Sequence, residues 1–523
     1  MYVTCQDLLQ TAQNLNPRVQ ASYSRTLHPE PVMHWFLVQS MGDSSMSVGL
    51  MRVWVEDSLF NVDTTLLVQS CDYFQALVRS GMRECSQGEV HLQGLSARGF
   101  LTVLAVSRGE RPVLSIDEAV EATECAAFLQ AEPLARHLSD LIDSSNCVQL
   151  CHAAATFGLW DVFRTAALFI RDMYDDLLEQ VCFLPLELQE YVEALPSNSF
   201  VAMGTHSPSM EMLQDSFRNI CYLDEDLGDW KHLTDLPINA STVMAGVAVL
   251  ANRLYVVGGV RGVSRQVVDS CFCYDASSNS WSTFAGPQQP RYNFTLVGHE
   301  GQLYAVGGEF QNVVISSTES YNLASGSWSF VSPSPWPVAG AACTKAMNRI
   351  FVCFWRPMET TDIYEYMPGW DEWRLLTTLI RPQSYGHCMV AHRDNLYVMR
   401  NGPYADFLRC LMDCYNLTTG QWSAMRNHYV NSKGALFTAE VRGDSVFTVN
   451  RALTLQYTIG DNQWTPRREM KGFPRNGTVW TFLLRLPQTS KRGKTGSTDR
   501  AVSKHRPSCS RGAIYTRHNA HNR

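Results

Sequence analysis

The sequence predicts a multidomain protein in which a small α/β module and a short all-α segment precede an all-β propeller of six blades. Three observations predict this fold class. Tryptophans recur at regular intervals through the C-terminal half, a strand hairpin followed by a helix begins near residue 52, and helical apolar spacing fills most of the chain between them. With 523 residues and 45% hydrophobic composition, the chain can form several separate cores.

The propeller is predicted by a repeat of about 45 residues. Its tryptophans are Trp230, Trp281, Trp328, Trp373, Trp422 and Trp464, and they follow one another at intervals of 42 to 51 residues. Five of them come seven positions after a tyrosine: Tyr274, Tyr321, Tyr366, Tyr415 and Tyr457. The period fits one four-stranded blade, and the large indole is expected to pack one blade against the next.

Two further features concern the strand ends and the closure of the ring. Diglycines end at Gly259 and Gly308, where we expect positive φ or a close approach of two backbones. The first Tyr/Trp segment, 220–237, lacks two preceding strands, whereas the last strands, near 477–486, lack two following ones. We therefore expect a sixth blade assembled from both ends of the array, which closes the ring and covers its open strand edges.

The N-terminal elements follow from apolar spacing. Residues 52–79 predict a strand hairpin that continues into a helix, and residues 116–200 place apolar side chains three and four apart, as in helices. No segment has the charge and apolar pattern of a secretory signal or a membrane span, so we expect a cytoplasmic protein. Sixteen cysteines without a CxxC pair indicate reduced thiols.

These patterns carry a family resemblance. The diglycine, tyrosine and tryptophan resemble a Kelch repeat, and the helix bearing Ser70, Tyr73 and Phe74 resembles the start of a BTB domain, although Asp63 replaces the usual histidine. The helices that follow resemble shortened BACK repeats, so the chain resembles BTB-Kelch proteins. The predicted parts are an unassigned segment 1–45, a BTB domain 46–143, a BACK-like segment 144–215, a Kelch propeller 216–487 and a basic tail 488–523.

The resemblance implies a function without catalysis. It implies a substrate-recognition adaptor of a cullin-3 RING E3 ubiquitin ligase, in which the BTB domain dimerises and Met82 and Glu84 bind cullin-3, while the propeller binds the protein substrate. The alternative for these two residues is that Met82 completes a local core and Glu84 is solvated. The alternative function is a scaffold that binds actin, muscle thin filaments or another cytoskeletal protein.

One face of the propeller is predicted to bind a partner. Because strand direction alternates within a blade, loops after the second strand and loops before the first strand open on the same face. Their side chains predict a basic surface for an acidic protein segment, since guanidinium groups pair bidentately with carboxylates. The predicted residues are Arg261, Arg291, Tyr292, Arg356, Arg381, Tyr385, Arg400, Lys433 and Arg451. The alternative is a set of ordinary solvated loop charges.

Catalysis, metal binding and cofactor binding are not predicted. No nucleophile, base and oxyanion donors occur as a set, and no phosphate-binding loop opens a helix. His387 and His392 are predicted on one strand, where their spacing places them on opposite faces. The tail 488–523 has nine Lys/Arg and one acidic residue. Such a tail is typically solvated, and we expect neither nucleic-acid nor membrane binding.

Overall fold

The computed structural model describes residues 49–81, 87–206, 218–262, 265–356, 360–380, 387–401, 409–425, 429–430, 438–449, 454–466 and 480–487. These ranges form an α/β module, a helical segment and six antiparallel sheets of four or more strands, so the predicted fold class is confirmed.

The α/β module pairs a hairpin with one parallel strand. Its elements are β1 (Leu50–Val55), β2 (Ser58–Asp63), α1 (Thr64–Ser70), α2 (Asp72–Ser80), β3 (Glu89–Leu92), α3 (Ala97–Ser107), α4 (Ile116–Leu129) and α5 (Glu132–Asp140). Strand β1 lies between β2, which is antiparallel, and β3, which is parallel. Alternate β1 residues such as Val53 and Val55 are fully buried, because successive side chains in a strand point to opposite faces.

The predicted single helix after the hairpin is broken in two. Cys71 adopts an extended conformation between α1 and α2. Asp63, which replaces the usual histidine of the family, accepts a hydrogen bond from the backbone N–H of Thr65 at 2.7 Å and therefore caps α1. Phe74 is completely buried in the module's core, and the ring of Tyr73 packs edge-on against it.

The helical segment follows α5 and shares one core with the module. It contains α6 (Cys147–Phe157), α7 (Trp160–Asp172), α8 (Leu178–Val181) and α9 (Leu186–Ala194). Helix α6 packs against both α4 and α7. The predicted helical character is confirmed as far as Ala194, after which the chain becomes extended.

The extended part begins the propeller earlier than expected. Strands β4 (Asn198–Met203), β5 (Asn219–Asp224) and β6 (Asp229–Asp235) pair with β32 (Trp480–Arg485) in the order β32-β4-β5-β6. The sixth blade is therefore assembled from both chain ends, but with one C-terminal and three N-terminal strands. The sequence assigned 198–203 to the end of the helical segment, and pairing with β32 and β5 makes it a strand instead.

The other five blades follow in chain order. The first contains β7 (Ala245–Leu250), β8 (Arg253–Gly258), the hairpin β9 (Val260–Arg261) and β10 (Gln266–Val267), β11 (Cys271–Asp275) and β12 (Ser280–Phe284). The second contains β13 (Thr295–His299), β14 (Gln302–Val306), the hairpin β15 (Glu309–Phe310) and β16 (Val313–Val314), β17 (Thr318–Asn322) and β18 (Ser327–Val331). The third contains β19 (Cys343–Ala346), β20 (Arg349–Arg356), β21 (Thr360–Met367) and β22 (Glu372–Ile380).

The last two complete blades lie between the third blade and β32. The fourth contains β23 (His387–His392), β24 (Asn395–Asn401), β25 (Arg409–Asn416), β26 (Gln421–Ala424) and the short β27 (Tyr429–Val430). The fifth contains β28 (Thr438–Arg442), β29 (Ser445–Val449), β30 (Thr454–Thr458) and β31 (Gln463–Pro466). The innermost strands contact one another in the order β7, β13, β19, β23, β28, β32 and again β7, so the ring is closed.

The repeated tyrosines and tryptophans are cross-strand partners. In each of the first five blades the tyrosine on the third strand lies directly opposite the tryptophan on the fourth, as in Tyr321 and Trp328. The indole N–H of Trp328 donates to the carbonyl of Ala285 in the preceding blade at 2.7 Å. Apolar clusters also fill the spaces between adjacent blades. The expected packing of blade on blade through the indole is confirmed.

The diglycines have the predicted backbone geometry. Gly307 and Gly308 have φ of 62° and 104°, and a Cβ atom on Gly307 would lie 2.2 Å from the carbonyl oxygen of Val338. Gly258 and Gly259 also have positive φ. Both positions therefore require glycine for conformation and for space.

Candidate partner-binding surfaces

The propeller has two chemically different faces. One face carries the connections between the second and third strands of each blade and the connections from one blade to the next. We call it the loop face; it includes 259–270 and 285–294. We call the opposite face, formed by the tight turns within strand pairs, the turn face; it includes 251–252, 393–394 and 443–444. The predicted partner-binding residues that the structure describes lie on or beneath the loop face, whereas the helical segment contacts the turn face.

Arg261 lies on the loop face with an exposed side chain, as predicted. It stands on the hairpin β9–β10, near the exposed Arg265. The guanidinium of Arg265 lies 3.7 Å from the carboxylate of Glu309 in the next blade, and Asn293 donates to the same carboxylate at 2.6 Å. The two sets of loops therefore converge between the first and second blades, and charged side chains of both signs meet there.

Arg291 does not lie on the open surface that the sequence predicted for it. Its side chain is fully buried and ion-paired with the equally buried Glu319 at 2.5 Å. The same guanidinium donates to the carbonyls of Gly307 at 2.9 Å and Ser317 at 2.7 Å. Burial lowers the pKa of Arg291, and the adjacent carboxylate only partly offsets this effect. Arg291 therefore holds the second blade together from within and offers no charge to an external ligand.

Arg400 and Tyr292 are also buried rather than displayed on the loop face. The guanidinium of Arg400 is 9% exposed and lies 3.0 Å from the carboxylate of Asp413 on the neighbouring strand. Tyr292 is 2% exposed, and its hydroxyl donates to the side chain of Asn312 at 3.1 Å. Both residues therefore support the loops of this face and do not form its surface.

The remaining predicted residues stay predictions. Arg356 is the last residue of β20, and the structure describes its backbone but not its side chain. The other predicted partner-binding residues, Arg381, Tyr385, Lys433 and Arg451, lie outside the described residues, as do Met82 and Glu84.

A cleft opens on the loop face between the first and second blades. Its volume is about 260 Å³. The lining residues are Gly258, Val267, Val268, Asp269, Gly286, Pro287, Pro290 and Arg291. Apolar and proline side chains form most of this lining, and the exposed Asp269 is its carboxylate. The cleft can therefore accept a small apolar side chain beside a donor group.

The turn face is where the helical segment attaches to the ring. Asp172, at the end of α7, accepts hydrogen bonds from Arg485 on β32 at 2.9 and 2.8 Å. The same carboxylate accepts from the backbone and side-chain N–H groups of Asn198 on β4, at 3.1 and 3.0 Å. Arg485 also donates to the carbonyl of Pro196 at 2.9 Å. One buried carboxylate therefore joins the helical segment to both strands that close the ring.

A second attachment lies beneath the fourth and fifth blades. Asp444, in the turn between β28 and β29, accepts from the backbone N–H of Ser144 at 3.0 Å and lies 3.2 Å from the imidazole of His392. Burial alone would raise the pKa of Asp444, but the hydrogen bonds from His392 and Ser144 outweigh burial and lower it to about 2. Arg393 pairs with Asp143, just before Ser144. The attachment thus consists of hydrogen-bonded charges.

Sequence reasoning missed these attachment residues. Asp172 and Asp444 are ordinary polar residues at the end of a helix and in a turn, and no motif marks them. The one indication in the sequence was the predicted sixth blade, which is assembled from both ends of the repeat array. That prediction places the last strand, which carries Arg485, beside the segment that follows the helices.

Metal sites and membrane-spanning helices are two other features that the described residues can be compared with. Within the described ranges, no group of three or more His, Cys, Asp or Glu side chains has an arrangement that could hold a metal ion. His392 lies on β23, the first strand of its blade, as predicted. Among the helices that the structure describes, none combines the length and the apolar character needed to cross a membrane.

Comparison with known proteins matches part of the propeller to a family model and most of the chain to relatives. A family model described as the KLHDC2/KLHL20/DRC7 Kelch-repeats domain matches residues 197–400, starting one residue before β4. Human Kelch repeat and BTB domain-containing protein 13 is 54% identical over 450 residues, which cover 86% of this chain and 98% of the relative. The mouse protein of that name is 52% identical over 452 residues, covering 86% and 97%. Mouse Kelch-like protein 42 is 29% identical over 493 residues, covering 83% and 98%.

Proposed function

Because the chain belongs to the family of Kelch repeat and BTB domain-containing proteins, we propose that it is a substrate-recognition adaptor of a cullin-3 ubiquitin ligase. In this proposal the α/β module binds cullin-3 and a second copy of the module, and the propeller binds the protein to be modified. The chain positions two proteins and supplies no catalytic group of its own. It would act in the cytoplasm.

The observation that carries the proposal is the position of the helical segment. Its contacts through Asp172, Asp143 and Ser144 are all with the turn face of the propeller. Among the described residues, these contacts leave the loop face, on the opposite side of the ring, uncovered by the helical segment. An adaptor needs this separation, because a substrate and a ligase must bind at the same time without competing for one surface.

We propose that Met82 and Glu84 contact cullin-3. They directly follow Gly81, which ends α2 in a left-handed conformation with φ of 63°. A glycine in this conformation commonly ends a helix. An apolar side chain that fills a pocket at the centre of an interface typically contributes about 2 kcal/mol or more to binding.

For the substrate, we propose that the loop face binds a protein segment, with Arg261 and the predicted Arg356, Arg381 and Tyr385 among its contacts. Arg261 is exposed, and arginine suits recognition of carboxylates. Two copies of the adaptor would bring two such faces together, so that the second contact with a repeated or dimeric substrate becomes intramolecular and overall binding tightens.

The test is capture of the purified cullin-3 N-terminal domain by the full chain. The full chain is needed because residues 198–203 belong to the propeller, so a fragment cut at the predicted boundary of 215 would carry an unpaired strand. We expect the wild type to bind and the double variant Met82→Ala/Glu84→Ala to lose binding. The matched control is Leu227→Ala/Asp226→Ala, an exposed apolar and acidic pair in a propeller turn, which should bind as the wild type does.

The same proteins distinguish the cytoskeletal alternative. If the folded wild type does not bind cullin-3 but sediments with actin filaments, the adaptor proposal is wrong and the scaffold is supported. If the double variant and the wild type bind cullin-3 equally well, the adaptor role stands and the assignment of Met82 and Glu84 is wrong.

A further inference from the structure

The helical segment has an apolar surface that the described residues leave open. Leu178, Phe183 and Leu186 are 49%, 83% and 65% exposed, and they lie close together in sequence on and between α8 and α9. Their neighbours Val181 and Leu188 are buried in the core shared with the module. The two helices are thus anchored by one side, and their other side presents large apolar groups to solvent, which often marks a binding surface.

This surface is also strongly acidic. Residues 172–197 contain seven Asp or Glu and no Lys or Arg. Asp172 is engaged by Arg485, and Glu193 accepts from the hydroxyl of Tyr174 at 2.5 Å. The other five carboxylates are on exposed residues: Asp175, Asp176, Glu179, Glu187 and Glu190. We call these five residues, together with Leu178, Phe183 and Leu186, the α8–α9 surface. Its ligand should therefore combine positive charge with some apolar side chains.

The chain itself supplies such a ligand beside this surface. Pro487 is the last described residue before the tail 488–523, and Arg485, two positions earlier, is held against Asp172 and Pro196. These two contacts lie at the two ends of the stretch that carries the α8–α9 surface. The tail therefore begins next to that surface and not on the far side of the ring.

The composition and length of the tail fit the surface. The tail has nine Lys/Arg and one acidic residue, with Val502, Ile514 and Tyr515 as its large apolar side chains. Its 36 residues could span on the order of 100 Å when extended, whereas the nine residues of α9 span only about 13 Å. Length therefore does not prevent contact, and attachment to the same chain raises the effective concentration of the tail at the surface.

We propose that the α8–α9 surface is the docking site of the chain's own basic tail, residues 488–523. The contact combines lysine and arginine pairing with exposed carboxylates and coverage of Phe183 and Leu186 by apolar tail residues. It places the C-terminal end of the chain on the helical segment, on the turn-face side of the propeller. The loop face, on the other side of the ring, remains open.

The experiment is carbodiimide cross-linking of the full chain, which joins a lysine amine directly to a carboxylate in contact with it. We expect links from Lys491, Lys494 and Lys504 to the peptide that spans 175–193. Reversing Glu179, Glu187 and Glu190 to Lys should abolish these links. The matched control reverses three exposed acids of the α/β module, Asp57, Glu110 and Asp117, and should leave the links intact.

Hydrogen exchange gives a second readout that does not depend on lysine positions. Replacing Lys491, Arg492 and Lys494 by Glu should increase amide exchange across α8 and α9, and combining this change with the three Glu→Lys reversals should restore protection through the opposite pairing. Unchanged exchange in every variant would overturn the proposal.

The cross-links also identify the occupant. Mixing isotopically light and heavy chains separates links within one chain from links between two. Links only between chains would show that a second copy supplies the tail, and would refute the intramolecular contact. Tail links spread evenly over all acidic surfaces would refute a specific site.

Discussion

Arg485 and Asp172 form a two-bonded ion pair between the last strand of the propeller and the end of helix α7, with N–O distances of 2.9 and 2.8 Å. Arg485 lies opposite Asn198 in the sheet that closes the ring, and Asn198 donates to the same carboxylate. The Asp172 side chain therefore contacts both strands that close the ring and is one of the attachments of the helical segment to the propeller.

Replacing Asp172 by Ala should destabilise the protein by about 3 kcal/mol, because it leaves the mostly buried guanidinium of Arg485 and the amides of Asn198 without their shared acceptor. Denaturant unfolding of the full chain measures the loss. The matched control is Glu132→Ala, which removes an ion pair between side chains that are both 60% exposed and should cost about 0.5 kcal/mol or less. Equal losses of unfolding free energy for the two variants would contradict the proposed stabilising role of Asp172.

Arginines of the loop face should separate into two groups. Arg291→Ala should lower the unfolding free energy by about 3 kcal/mol or more, because it leaves the fully buried Glu319 without its positively charged partner. Arg261→Ala should leave stability within about 0.5 kcal/mol, because its side chain is exposed. Thermal unfolding of the two variants distinguishes them. A stable Arg291→Ala protein would show that the buried pair is dispensable.

The second diglycine should be intolerant of any side chain. Gly307→Ala should cost roughly 3 kcal/mol or more, because the new Cβ combines a left-handed conformation with a 2.2 Å approach to the carbonyl of Val338. Gly301→Ala is the control, since Gly301 has a similar φ of 73° but open space around it. That variant should lose only about 1 kcal/mol, for conformation alone. The two unfolding midpoints give the steric part by difference.

Glu440 should make the propeller less stable as pH rises. Burial raises the pKa of this carboxyl from its ordinary 4.5 to about 8, although Lys345 partly lowers it. The folded chain thus holds this proton more tightly than the unfolded chain. The contribution of Glu440 to the free energy of unfolding is therefore full below pH 4.5 and is lost as the pH rises to about 8. Glu440→Gln should therefore gain roughly 3–4 kcal/mol over wild type between pH 5 and pH 8. Melting temperatures at both pH values test this, with the exposed Glu110→Gln as control; parallel pH profiles would refute it.

The sequence by itself determined the repeat and its internal pairing. Tyr321 and Trp328 are seven residues apart because a short turn joins two antiparallel strands, so their contact depends on local chain geometry. The same holds for Gly307, whose conformation is required at the end of a strand in its own blade. Features that repeat and act over short distances in the chain could be predicted. The assignment of Met82 and Glu84 as cullin-3 contacts is also a prediction from sequence, and the binding experiment with the double variant tests it.

The tertiary structure alone decided which polar residues are surface and which are support. Arg291 is buried because Glu319, 28 residues later, supplies a carboxylate inside the same blade, and nothing near Arg291 in sequence indicates this. Residues 198–203 form a strand because β32, almost 300 positions later, offers an unpaired edge. Asp172 links these distant parts because folding places its carboxylate beside Arg485 on β32 and Asn198 on β4, the two strands that close the ring. In each case the deciding partner is far away in the chain, and only its position in space gives the residue its role.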